Sequence, residues 1–217
     1  MADSQLLDRV HSDTTRAWRL GGGLLLASVV LGVTLGSGFV AGAEILRTAL
    51  FSAALLVFAL GLRGGAGSVT ARRPLGTIAL AGLAVWLLLG SALQDILAAS
   101  LSDGSATTPM LVFAYADAAV QFLLALIAVV QIGRAGVVPA QWTWLPAWAV
   151  AAVTASWLLA QLFAGSTAID PMLTTMVLIS LDSLLKVGST VLIGVVAVVL
   201  ADRASVARAS FSAPPGR

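Results

Sequence analysis

The chain has 217 residues, 59% hydrophobic and 10% charged, with a mean hydropathy of +1.00. Soluble domains carry roughly 25% charged residues, so this composition excludes a water-soluble globule. A net charge of +2 is no footprint for nucleic acid, and the lack of cysteine removes disulfides, thiol nucleophiles and thiolate metal sites.

Residues 1–19 are polar, with Leu6, Leu7 and Val10 interleaved. They read as a cytoplasmic N-terminal segment, either a short helix on the membrane surface or a disordered start. Six apolar stretches follow, at 20–41, 45–62, 75–100, 110–133, 145–165 and 172–201. Each supplies about the 20 residues that a spanning helix needs. The run from Ala135 to Ile169 carries no charge at all, which no soluble helix pair with a wet face would show.

Gly64, Gly65 and Gly67, Ser102–Ser105, Gly136 with Pro139, and Asp170-Pro171 separate the later stretches. Pro109 and Pro171 stand where a first-turn proline belongs, since its missing N–H would be unpaired anyway. Residues 202–217 read as a disordered cytoplasmic tail. Ala41-Gly42-Ala43 resembles a signal-peptide cleavage site, but the uncharged run from Leu20 to Ala43 is far longer than such a segment needs.

Arginine sets the orientation. Arg9, Arg16, Arg19, Arg63, Arg72, Arg73, Arg134, Arg203, Arg208 and Arg217 all fall on one side of a six-span chain; Arg47 and Lys186 are the exceptions. The predicted fold is therefore all-α, a polytopic six-helix transmembrane bundle with N-in/C-in topology. The Ala-, Leu-, Val- and Arg-rich composition points to a bacterial cytoplasmic membrane. Trp18, Trp142 and Trp144 fall at expected boundaries, and Trp86 and Trp157 within spans.

In the first span Ser28, Gly32 and Gly36 recur at every fourth position, a small-residue face for close helix packing. The fourth carries Asp117, Gln121, Ala128 and Gln131 within roughly 80° of arc, and the sixth carries Thr175, Asp182, Lys186 and Ser189 within roughly 60°. Lipid cannot pair with such groups, so both stripes should face protein or water. Counted from the outer helix ends, Asp117 lies about 10 Å deep, Asp182 about 15 Å and Lys186 about 21 Å. Asp182 and Lys186, four residues apart, can neutralise each other. Asp95 stands near the outer mouth of the third span.

Two functions compete. Buried charges that only fix packing imply a non-catalytic membrane assembly or regulatory protein, whose partners are the bilayer and either a second copy or another membrane protein. Membrane carboxylates also serve ion and proton paths, which implies a small transporter or channel subunit working through the fourth and sixth helices. Enzyme chemistry lacks its residues. His11 is the sole histidine, no Gly-x-x-x-x-Gly-Lys-Ser/Thr run exists, and neither aspartate sits in the Gly-x-Gly-Asp setting of intramembrane aspartyl proteases. No metal or cofactor is expected. Pro-Met-Leu recurs at 109–111 and 171–173, a hint of a repeated two-helix unit.

Overall fold

A computed structural model describes residues 2–35, 42–61, 74–100, 107–136, 142–164 and 171–212. They form six helices and, among the described residues, no strand: α1 (Ala2–Leu35), α2 (Ala43–Leu60), α3 (Pro74–Ser100), α4 (Thr107–Ala135), α5 (Leu145–Ala164) and α6 (Pro171–Ser212). Each contains a stretch long and apolar enough to cross a membrane. Gly61 (φ 67°) and Gly136 (φ 65°) follow α2 and α4 with the left-handed backbone that glycine adopts without penalty.

The helix edges differ from expectation at both ends of the chain. α1 is one helix from Ala2, with no break before Leu20, and α6 runs on to Ser212 through the segment expected to be a loose tail. No proline or glycine interrupts either extension, and adding a residue to an existing helix costs far less than nucleating a new one. The two extensions start from a shared clamp: Arg19 Nη2 lies 2.7 Å from the Asp202 carboxylate, joining α1 to α6.

Among the described residues each helix packs on its neighbours in the chain, and α1 packs on α6. The bundle is thus a closed ring of three antiparallel hairpins, α1–α2, α3–α4 and α5–α6. Small residues permit the closest approaches. A Cβ on Gly22 would stand 2.8 Å from the Gly194 carbonyl oxygen, so α1 and α6 meet backbone to backbone. Gly21 receives the ring of Phe58 from α2, and Gly32 the aliphatic stem of Arg47. Ser28 is buried, its hydroxyl donating to the Leu25 carbonyl at 2.7 Å. Gly32 of the small-residue face therefore serves packing within the chain, while Gly36 lies outside the described residues.

The buried apolar cluster occupies the half of the ring nearer the Arg19–Asp202 clamp, hereafter the clamp end. It comprises Ala17, Trp18 and Leu25 of α1, Ala54, Phe58 and Ala59 of α2, Ala79 and Leu80 of α3, Ala128 and Ile132 of α4, and Ala197 and Ala201 of α6. No α5 residue belongs to it. Trp18, beside the clamp residue Arg19, is 9% exposed and meets Phe58 edge-on with ring centroids 6.5 Å apart. Gly21, one turn further along α1, leaves the space that admits the Phe58 ring. Trp144, in the turn just before α5, does remain outside, as does Trp148 of α5.

Candidate functional site

Beyond the apolar cluster, toward the far end, the ring turns polar. Asp117 of α4 accepts two hydrogen bonds there, from Trp86 Nε1 of α3 to Oδ1 and from Gln121 Nε2 to Oδ2, each 2.8 Å. The α3 surface facing it is a stripe of Gly82, Trp86 and Gly90, one residue per turn. A Cβ on Gly90 would stand 3.0 Å from Asp117 Oδ1, whereas one on Gly82 would meet Leu124 at an ordinary 3.7 Å. Gly90→Ala should therefore displace the carboxylate and lower thermal stability by several degrees. Gly82→Ala should match or exceed wild type, since alanine favours a helix over glycine by about 1 kcal/mol. Melting curves of the two purified variants, together with the fluorescence of Trp86, check this contrast.

Asp182 of α6 is wired in the same way. The hydroxyl proton of Ser156 on α5 is divided between Asp182 Oδ1, at 3.0 Å, and the Val153 carbonyl, at 2.9 Å. Lys186 Nζ stands 2.6 Å from Oδ2. Lys186 remains 57% exposed, against 30% for Asp182. Around α6, at about 100° per residue, Lys186 falls between the edge that holds Asp182 against α5 and the edge that carries Ala197 and Gly194 against α1. That arc faces the ring interior. Leu184, Val195 and Val199 lie on the other side, exposed.

The two carboxylates sit at one height on either side of α5. Tyr115, two residues from Asp117, donates its hydroxyl to Gln161 Oε1 at 2.8 Å and meets Trp157 edge-on at 5.8 Å. Trp157 adjoins Ser156, the donor to Asp182. These aromatic and amide contacts bridge α4 and α5, the adjacent pair that touches least. From Asp202 the rise along α6 is about 30 Å to Asp182 and about 24 Å to Lys186, and both lie inside the apolar stretch Thr175–Arg203.

Asp95 is exposed on α3, about 180° around the helix from Trp86, and does not join the group. Residues missed by polarity alone are Trp86, Ser156 and Gly90, each uncharged and each placed by the partner helix. A sequence signal existed for the first two: both lie on the odd-numbered helix of a hairpin, at the level where the even-numbered helix carries its acid. Both exceptions to the arginine asymmetry are neutralised on their own helix, Lys186 by Asp182 and Arg47 by Glu44 at 2.8 Å. Among the described residues no three His, Cys, Asp or Glu side chains gather to hold a metal ion.

No family model matches the chain, and neither a curated protein nor a solved structure matches it.

Proposed function

We propose that this chain is a non-catalytic, multi-pass protein of a bacterial cytoplasmic membrane that acts as an assembly or regulatory partner of another membrane protein. The clamp end, with Arg16, Arg19, Arg134 and Arg203, faces the cytoplasm, following the arginine asymmetry. The observation that carries the reading is the position of α5. It contributes nothing to the buried apolar cluster and touches α4 sparsely, and Trp148, Leu158 and Leu162 project from it exposed. Both carboxylates, by contrast, are paired inside the chain. Charge here supports packing, and the uncovered surface is apolar.

Photo-crosslinking residues at Leu158 and Leu162 in the native host test this. Adducts of one discrete mass at both positions, with none from Val195 or Val199 on the lipid-facing side of α6, are expected. Lipid adducts alone at all four positions would defeat the assembly reading.

A second reading, a small transporter or channel subunit with an ion or proton pathway, draws on a different observation. The two paired acids and their hydrogen-bond partners occupy the far half, above the apolar cluster, as in a carrier open to one side. Cysteine at Gln121 or Thr175 should then react with a membrane-impermeant thiol reagent added outside, and cysteine at Gln131 should not. Transport should vanish in Asp117→Asn and Asp182→Asn without loss of folded protein. Equal labelling at all depths, or transport unchanged in both variants, removes this reading.

A further inference from the structure

Where α1 and α6 meet, their outward side carries positive charge at the clamp end and a shallow apolar trough beyond it. At about 100° per residue, Arg16, Arg19 and Gly23 lie within roughly 60° of one another on α1, just outside the line of contact through Gly22 and Leu26. Val195, Val199 and Asp202 occupy the matching side of α6, and all six of these residues are exposed. Gly22 and Gly194 bring the two backbones together, so main chain forms the floor of the trough there. A Cβ on Gly23 would meet nothing within 4 Å, which leaves the trough open at that point. From Leu20 to Val30, both more than half exposed, α1 rises about 15 Å, one leaflet of a hydrocarbon core about 30 Å thick.

At the charged end the donors are incompletely used. Arg19 presents Nε and Nη2 to the single oxygen Oδ1 of Asp202, at 2.9 and 2.7 Å. Its Nη1 group, which carries two further N–H donors, has no partner among the described residues. Arg16, one turn away, is exposed and makes no ion pair among the described residues. Two guanidiniums beside one carboxylate leave a single positive charge. The apolar stretches of these helices end at Asp13 and Arg203, which sets that charge at a membrane boundary.

We propose that the outer α1–α6 trough binds one anionic phospholipid, its phosphate on Arg16 and the unused edge of Arg19, and an acyl chain laid over Gly23 against Val195 and Val199. The single surplus charge complements one phosphodiester. Guanidinium forks match phosphate oxygens, and basic sites between membrane helices hold such headgroups. A zwitterionic headgroup would bring an ammonium against the same arginines, with only Asp202, already held by Arg19, to receive it. The other exposed arginines at this end do not share the trough. Arg134 is on α4, and Arg203, about 100° on from Asp202, turns toward the α5 side of α6. The site is independent of the function proposed above, because a lipid laid across the seam that closes the ring serves either reading.

The experiment is native mass spectrometry of the purified full chain, released from micelles that contain equal amounts of phosphatidylglycerol and phosphatidylcholine with the same acyl chains. One phosphatidylglycerol per chain should be retained, in preference to phosphatidylcholine. Arg16→Gln should lower that retention about fivefold, the worth of one arginine at a membrane surface. Gly23→Leu fills the trough without touching the bundle; it should lower retention of the same lipid while melting as the wild type does. Arg134→Gln and Arg203→Gln should retain the lipid as the wild type does, and glycerol 3-phosphate at the lipid's concentration should not displace it. Equal retention of the two lipids by the wild type overturns the proposal, as does unchanged retention in Arg16→Gln or Gly23→Leu. A loss in Arg134→Gln or Arg203→Gln as large as that in Arg16→Gln overturns it too, by making the preference a property of the whole basic end. Displacement by glycerol 3-phosphate would assign the arginines to a soluble anion instead. Arg16 is exposed and apart from the clamp contact, so Arg16→Gln keeps the test decisive should Gly23→Leu fail to fold.

Discussion

Gly22→Ala and Gly194→Ala are each expected to destabilise the bundle by about 2–3 kcal/mol, whereas Gly23→Ala and Gly188→Ala should be neutral or slightly stabilising. The contrast follows from what the added methyl meets. On Gly22 it would stand 2.8 Å from the Gly194 carbonyl oxygen, and on Gly194 it would stand 3.2 Å from the Gly22 carbonyl oxygen and 3.1 Å from Leu26. Carbonyl oxygens belong to the helices themselves and cannot rotate aside, so α1 and α6 must separate. Overpacking of this kind costs typically 1–3 kcal/mol, and here it falls on the seam that closes the ring. Gly23 and Gly188 have nothing within 4 Å, leaving only the helical preference for alanine, about 1 kcal/mol in its favour. In lipid, close helix approach replaces the hydrophobic drive that holds soluble helices together, so the loss cannot be recovered by burial elsewhere. Unfolding of the four variants in detergent measures it. Equal stability across the four would mean that the α1–α6 seam does not hold the ring shut.

Much of the architecture was legible because a bilayer imposes length and hydropathy on each span. The breaks at Gly136 and Pro171 come from residues whose backbone preferences act locally, and they needed no tertiary information; α2, expected to run to 62, instead ends before Gly61. The ring closure did not show in the same way. Gly22 and Gly194 lie at opposite ends of the chain, and only their three-dimensional meeting distinguishes them from Gly23 and Gly188. The packing of Trp18 was hidden for a related reason: an indole suits lipid and a helix interface equally well, and Gly21 admits the ring of Phe58 that covers it. Within the site, the pairing of Asp182 with Lys186 follows from helical spacing alone. Trp86 and Ser156 were marked only by their level in the hairpin, because a neutral donor gains its role from the acid on the next helix. Asp95 shows the converse. An ionisable residue drew attention by type, and helical phase put it on another face.

Lys186→Met should destabilise the protein by about 1–3 kcal/mol, Asp182→Asn by less, and the double variant should recover most of the loss. Lys186 Nζ lies 2.6 Å from Asp182 Oδ2, and the other carboxylate oxygen holds only a share of the Ser156 hydroxyl. Removing the ammonium leaves an anion that one divided hydroxyl proton cannot compensate. Removing the carboxylate leaves a lysine that is more than half exposed and whose long stem can carry the ammonium toward water. Removing both leaves an amide and a thioether beside Ser189, whose hydroxyl is already satisfied by the Leu185 carbonyl, and replacing a whole ion pair is often close to neutral. The magnitude stays below that of a dry interior because the pair is partly exposed. A double-mutant cycle from melting curves gives the coupling directly. Strong coupling with a restored double variant means that the pair exists to satisfy itself, as the assembly reading requires. Single variants as stable as wild type, with no coupling between them, would instead assign the two charges to a ligand or an ion passing between them.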